Sequence, residues 1–437
     1  MKRKAYDSLL DWKHRKTKQA LLVTGARQVG KTYLIRQFGA AEYRVFVEFN
    51  LLLDTSARAS FAAATSPQDL ALRISIAASQ ELVAGETLVF FDEVQACPEV
   101  VTLIKGLVDE GLFDYILSGS LLGVELKNVR SLPVGYMRTL TMHPMDFEEF
   151  CWAAGLSDEA FSIMRECFES KTPVPEFIHD RLMGIFHRYL LIGGMPDVVT
   201  SFVREGTIDG PRSIQKDIRT FYEADISKYA PENRRLIIKE IFRLIPSELQ
   251  SQNRRFKLSS IEGVKRFDSV SNDFLWLSNA NVALPVYNVR EPSHPLLMND
   301  QRTVFKLFMS DVGLLTGTFR KRDSLELFDG GPVASMGGVY ENYVAQELVC
   351  HGFDPYYFTK ASIGELDFLV EDGADRVIAF EVKSGRSYKS HAALNRALSQ
   401  EGYGITAAYV LAESNVSIEG GVTYLPLYMT SCFTADN

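Results

Sequence analysis

An α/β fold in several domains is what this chain of 437 residues predicts, and three observations predict it. An apolar run near the N-terminus passes through a glycine-rich loop, GARQVGKT, into a helical pattern. Five short apolar segments, at about 20 to 24, 43 to 49, 87 to 91, 113 to 118 and 138 to 142, alternate with helical stretches, the order of a parallel sheet flanked by helices. Toward the other end, a helical pattern precedes three strand patterns that carry Asp367, Glu381 and Lys383.

The first segment and its loop, ALLVTGARQVGKTYLIRQF, fit GxxxxGK[ST] in the strand, loop and helix context of a P-loop. Phosphates are cradled there by backbone N–H groups and a helix N-terminus, and Gly25 and Gly30 let the backbone come close. The expected nucleotide contacts are Gly25, Ala26, Arg27, Gln28, Val29, Gly30, Lys31, Thr32 and Tyr33. Lys31 is expected to reach the β and γ phosphates of ATP, and Thr32 to ligate Mg²⁺.

The third segment, ETLVFFDEVQACPEV, is a continuous apolar strand that ends in Asp92-Glu93. Two carboxylates then lie at the carboxyl edge of a parallel sheet, where such sheets bind ligands. Asp92 is expected to hold Mg²⁺ and Glu93 to act as the base that polarises the attacking water. The fourth segment, FDYILSGSLLG, ends in Ser118 and Ser120, where a polar side chain would sense the γ-phosphate. Serine at a strand end also serves ordinary turns, so both readings stand.

Composition narrows the class. Hydrophobic residues make up 46% of the chain and the net charge is −8, which argues against a uniformly basic nucleic-acid coat. The five Cys are scattered without C-x-x-C spacing, which suggests neither a disulfide framework nor a Cys-based zinc site. The basic start lacks the apolar stretch of a signal peptide, and no run approaches the roughly 18 apolar residues of a membrane span. A cytoplasmic protein with no membrane partner is expected.

The middle of the chain reads as helical from Cys151 to Tyr229, broken at Gly193-Gly194-Met195-Pro196, which suggests a hinge or lid. From Glu232 to Arg266, nine Lys or Arg stand against four Glu, a basic patch hidden by the acidic total. The order there is a helix (RRLIIKEIFRLI), a turn with Pro246, a basic segment, a second helix (SNDFLWLSNAN) and an extended VALPVYNV. That order is similar to a winged helix-turn-helix, and residues 234–266 would contact DNA or a protein partner.

In ELDFLV, Leu366, Phe368 and Val370 share one face and Asp367 takes the other. In VIAFEVKSG, Ile378, Phe380 and Val382 share a face and leave Glu381 and Lys383 opposite, with Asp372-Gly373 as a turn signal between the strands. The preceding GGVYENYVAQELVCHG reads as an amphipathic helix, with Val339, Tyr343, Val344 and Leu348 apolar and Glu341 beside them. A helix followed by a three-stranded meander, with Asp367 and Glu381-Val382-Lys383 on it, is similar to the PD-(D/E)xK nuclease fold. In that reading Asp367 and Glu381, with Glu341, hold Mg²⁺, and Lys383 stabilises the hydroxide or the developing charge. The plainer alternative is a solvated face with a Glu/Lys pair.

Taken with YLLIGGMPDVV, FYEADISKY, MHPMDFEEF and FKLFMSDVGLL, these motifs resemble a family of prokaryotic AAA-type P-loop ATPases with a C-terminal restriction-endonuclease-like domain. The resemblance covers essentially the whole chain. It implies an AAA+-like P-loop ATPase core over 1–150, a helical lid over 151–230, a winged-helix-like module over 231–292 and a nuclease-like α/β domain over 293–437. The implied function is ATP hydrolysis coupled to a DNA-acting nuclease-like domain. The alternative is an ATP-dependent switch that binds DNA or a protein partner through an inert one, and a homo-oligomer is left open. Many members place a basic residue directly after a Gly shortly before the P-x-x-F-x-E-F segment. Here Gly135 is followed by Tyr136, and the nearest basic groups are Arg130 and Arg138.

Overall fold

The computed structural model describes residues 1–15, 18–119, 135–251, 254–264, 266–328, 336–385 and 387–435. Two compact units are present, Met1–His143 with Asn279–Asn281, and Pro144–Ser278 with Val282–Asn437.

The first unit is built on five strands: β1 (Ala20–Thr24), β2 (Val45–Asn50), β3 (Thr87–Asp92), β4 (Asp114–Ser118) and β5 (Met137–Thr141). They lie in the order β2-β3-β4-β1-β5, all pairs parallel. The sequence TLVFFD explains the central place of β3, since every residue of that strand is buried. Phe91 stacks between Phe49 and Tyr115, and Phe61 meets it edge-on from the Thr55–Ala62 helix. The Pro98–Glu110 helix opens on Pro and stops at Gly111, whose φ of 65° takes the left-handed turn expected after a helix.

The second unit begins with helices Phe147–Ala153, Asp158–Ser170, Glu176–Ile192, Pro196–Glu205 and Asp209–Tyr229. Asp146 and Glu149 form a reciprocal capping box on the first. At Gly193-Gly194 the chain makes close backbone contacts. Gly194 N–H donates to Asp311 Oδ2 at 2.6 Å, and Met145 N–H donates to Gly194 O at 2.7 Å. The segment is thus locked by buried hydrogen bonds within this unit.

The turn expected at Pro246 does not form. One helix runs Arg235–Leu249 with Pro246 inside it. Proline removes one N–H from a helix interior, but here it stands close to the helix end. The buried stripe of Ile238, Ile241, Phe242, Ile245 and Leu249 continues past it and holds the last turn.

An eight-stranded sheet follows, made of β6 (Ala283–Val289), β7 (Asp300–Met309), β8 (Tyr356–Lys360), β9 (Gly364–Glu371), β10 (Val377–Val382), β11 (Ile405–Ala412), β12 (Ser417–Glu419) and β13 (Val422–Pro426). Its order is β12-β13-β11-β10-β9-β8-β6-β7. The extended VALPVYNV, read above with the winged module, is β6. It pairs antiparallel with β7 and parallel with β8, so it is an interior strand of this sheet. The meander is present, with β8, β9 and β10 antiparallel in turn. The Ala392–Leu398 helix then leads to β11, which runs parallel to β10. The Met336–Cys350 helix departs from the amphipathic reading: every residue from Met336 to Leu348 is buried. Its buried amides are bonded. Asn342 exchanges hydrogen bonds with Met309, and Gln346 serves Val312 and Tyr189.

No described helix is long and apolar enough to cross a membrane.

Candidate functional site

In the first unit, the loop between β1 and the Lys31–Glu42 helix is shaped by two glycines with positive φ, Gly25 at 131° and Gly30 at 94°. A Cβ at Gly25 would lie 2.1 Å from Met142 O, so the loop is pressed against the backbone that follows β5. Gln28, at φ 66°, makes a further left-handed turn without the freedom of glycine. Lys31 is buried, and its Nζ donates to Gly25 O at 2.9 Å and to Ala26 O at 2.7 Å. Burial pushes the Lys31 ammonium down to about 8, against the pull of Glu93 and Asp92. Tyr33, one position beyond Thr32, is 62% exposed.

Asp92 closes β3 and gathers three donors. Thr32 Oγ1 lies 3.2 Å from both of its oxygens, Asn50 Nδ2 lies 3.2 Å from Oδ2, and Ser118 Oγ bonds to Oδ1. Burial pushes the Asp92 carboxyl up, with the Ser118 and Thr32 hydrogen bonds opposing. Asn50 was not singled out by sequence reasoning. It ends β2 in register with Asp92, a pairing visible only once β2 and β3 are neighbours. Glu93 follows at φ 53° and ψ 49°, a left-handed conformation that turns its carboxylate away from the strand direction, and Gln95 Nε2 donates to its Oε2. Sequence placed Ser118 beside the nucleotide, and in the structure its hydroxyl is spent on Asp92. Arg138 is half-buried on β5. Ser120 and Arg130 lie outside the described residues.

The second unit brings Glu341, Asp367 and Glu381 into one buried neighbourhood, together with residues the sequence reading did not name. Lys306, fully buried on β7, lies 3.0 Å from Glu341 Oε2, 2.8 Å from Glu365 Oε1 and 3.7 Å from Asp367 Oδ1. Arg254 bonds to the other oxygen of Glu341, and Arg255 to Glu365 at 3.0 Å. Asp367 Oδ2 accepts from Val382 N–H at 2.8 Å. Lys383 Nζ donates to Glu381 Oε1 at 2.7 Å, while Glu381 Oε2 has no hydrogen-bond partner among the described residues.

Burial alone would depress Lys306, but Glu341, Asp367 and Glu365 together hold it well above an ordinary lysine, so it is a cation. Burial and then Asp367 push the Glu381 carboxyl up to about 8, with Lys383 opposing. Glu365 is held below an ordinary glutamate by Lys306 and Arg255, in spite of its burial. Among the described residues, no group of three or more His, Cys, Asp or Glu is disposed to hold a metal ion. Lys306 had a signal in the sequence: a lone lysine in the apolar run VFKLFM, where an unpaired charge would be costly.

Much of the basic stretch is paired with carboxylates, although none of its described Lys or Arg is fully buried and Arg243 is exposed. Arg234 pairs with Asp273 and Arg243 with Glu223, besides Arg254 and Arg255. Lys257 and Arg266 remain exposed, and Lys265 lies outside the described residues. Arg188 lies over the Phe328 ring.

Three family models match the chain: the AAA domain at residues 17–151, a domain of unknown function (DUF8612) at 183–324 and another (DUF4143) at 336–429. No curated protein matches it. Among solved structures, the Walker-type ATPase PABY2304 of Pyrococcus abyssi is 15% identical, with a TM-score of 0.42, over 72% of this chain and 95% of that one. The Aeropyrum pernix ORC1 protein, solved in complex with DNA, is 11% identical, with a TM-score of 0.29, over 74% and 91%. C. elegans PCH-2 is 13% identical, with a TM-score of 0.24, over 63% and 67%. The AAA-domain match falls on the glycine loop, Lys31 and the Asp92 carboxylate, and residues 17–151 are accordingly an AAA-type P-loop ATPase domain.

Proposed function

We propose that this protein is a Mg²⁺-dependent ATPase whose nucleotide cycle controls a nuclease-like, DNA-directed C-terminal domain. The observation that carries the ATPase half is the convergence of Thr32 and Asp92 beside the loop that buries Lys31. The all-oxygen donor set of Thr32 and Asp92 suits Mg²⁺. When bound, that ion neutralises charge on the β and γ phosphates. Lys31 exchanges its loop carbonyls for phosphate oxygens, and the loop N–H groups from Gly25 to Tyr33 hold the phosphate chain. Asn50 and Ser118 keep the Asp92 carboxylate oriented. Glu93 accepts the proton of the attacking water.

The test is ATP hydrolysis by the wild type and by Glu93→Gln. The variant is expected to bind ATP with Mg²⁺ but to turn over at least about a hundredfold more slowly, the usual worth of a general base. Undiminished turnover would remove Glu93 from the mechanism.

The C-terminal half of the proposal is supported by the order helix, three antiparallel strands, helix and parallel strand, with Asp367 and Glu381 on adjacent strands. Two readings of it differ in consequence: a nuclease using Asp367, Glu381 and Lys383, or an inert domain of the same fold that binds DNA or a protein. The place of Lys306 favours the second. Contact with DNA is left to Lys257 and Arg266, since Arg254 and Arg255 are engaged with carboxylates. Reversing Lys257 and Arg266 to Glu is expected to weaken binding to duplex DNA and flatten its salt dependence, read by fluorescence anisotropy across a salt series. Equal binding by wild type and variant would assign this face to protein contacts.

A further inference from the structure

We infer that Lys306 is a resident cation at the C-terminal acidic cluster and stands where a nuclease of this shape would hold its divalent metal, so that this domain engages its ligand without metal. The inference rests on the nuclease-like reading of the domain and deepens it.

The argument is one of charge and space. Four carboxylates meet in this neighbourhood: Glu341, Glu365, Asp367 and Glu381. Four cations of the same chain face them: Lys306, Arg254, Arg255 and Lys383. With all eight groups ionised the charges balance, and protonation of a carboxylate would only leave the cluster more positive. A divalent ion added to it would leave at least two positive charges unbalanced around Lys306 and Glu341, both fully buried, which is costly in a poorly polarisable interior.

Geometry adds to this. A magnesium ion needs oxygens at about 2.1 Å in a near-octahedral arrangement. The Lys306 ammonium is already within 3.0 Å of Glu341, 2.8 Å of Glu365 and 3.7 Å of Asp367, so it takes the place between them. The second oxygen of Glu341 is taken by Arg254, and one oxygen of Asp367 by the Val382 N–H. The helix supplying Glu341 and the strands supplying Glu365, Asp367 and Lys306 are thus tied by the lysine in the way a metal would tie them.

The experiment is Mn²⁺ binding to the nucleotide-free full chain, read by electron paramagnetic resonance, in wild type, Asp367→Asn, Glu381→Gln, Lys306→Met and Lys306→Met with Asp367→Asn. Expected is the same Mn²⁺ uptake in wild type, Asp367→Asn and Glu381→Gln. Lys306→Met should gain a site at least about tenfold tighter than any uptake of the wild type at this cluster, since the competing charge is gone, and the added Asp367→Asn should remove it.

If the wild type binds an ion that Asp367→Asn and Glu381→Gln both release, the inference falls while the nuclease-like reading stands. If Lys306→Met is folded, by its circular dichroism, and gains no ion, the carboxylates are not a latent metal site. In that case the inference falls together with the nuclease-like reading. Should Lys306→Met fail to fold, the comparison of wild type with Asp367→Asn and Glu381→Gln still decides whether the cluster binds metal.

Discussion

Lys31→Ala is expected to abolish ATP hydrolysis, with a loss of about a thousandfold or more, and to weaken nucleotide binding with it. The side chain is buried within its own loop, and its ammonium donates to Gly25 O and Ala26 O, two neutral acceptors that a phosphate oxygen outbids. Its lowered value of about 8 sets a pH dependence whose sign follows directly. Phosphates favour the charged lysine, so binding above that pH must first recruit a proton. Affinity for ATP should therefore fall as pH rises through about 8, by at most about tenfold per pH unit. Below it the dependence due to Lys31 should be flat. Titration calorimetry at several pH values, with Lys31→Arg as a variant that stays charged, checks the assignment: the fall should vanish in the arginine variant. A wild-type affinity independent of pH between 7 and 9.5 would show that the lysine is charged before nucleotide arrives.

Gly194→Val is expected to give the largest loss of stability, about 3 kcal/mol or more in the second unit, from overpacking and lost buried hydrogen bonds together. A Cβ there would lie 1.9 Å from Met145 O and 2.6 Å from Met145 N, both backbone atoms that no rotamer change can move. Any shift that relieves the clash also breaks the hydrogen bonds from Met145 N–H to Gly194 O and from Gly194 N–H to Asp311. The measurement is urea unfolding followed by tryptophan fluorescence in a Trp12→Phe background, where Trp152 and Trp276 report on the second unit alone. An unchanged midpoint would mean that the GGMP segment is free to move, as a hinge would be.

These two sites differ in how far the sequence reveals them. The glycine loop, Lys31 and Thr32 are written in one contiguous stretch, because a strand, a tight loop and a helix N-terminus make the phosphate cradle by local geometry. Asp92 and Glu93 are legible for a similar reason: a buried strand that ends on two carboxylates contradicts its own hydrophobicity. Asn50 is not legible, since its contact with Asp92 needs β2 and β3 to be neighbours. Asp367, Glu381 and Lys383 could be placed on one side of their strands by alternation alone. What alternation cannot supply is Lys306, which arrives from β7, on the far side of β6 and β8 from β9. The Met336–Cys350 helix was misjudged for a related reason. Periodicity finds a polar face, but partners from β7 and from helix Glu176–Ile192 make that face an interior one. Pro246 shows the limit of a breaker signal when a buried stripe continues past it.

The place of β6 has a consequence for the order in which the protein is made. Its two neighbours lie on opposite sides of it in space and are made at well-separated times: β7 follows at once, whereas β8 does not begin until Tyr356. During synthesis the β6–β7 hairpin therefore waits with one row of backbone N–H and C=O groups open, until the long buried helix and then β8 have left the ribosome. An open strand edge of that kind is a template for pairing with another chain. Nascent chains halted between Met309 and Tyr356 should accordingly be the most prone to aggregate or to be held by chaperones. In such chains Lys306 is also still without Glu365 and Asp367, so the half-made sheet carries a charge that only the finished one can bury.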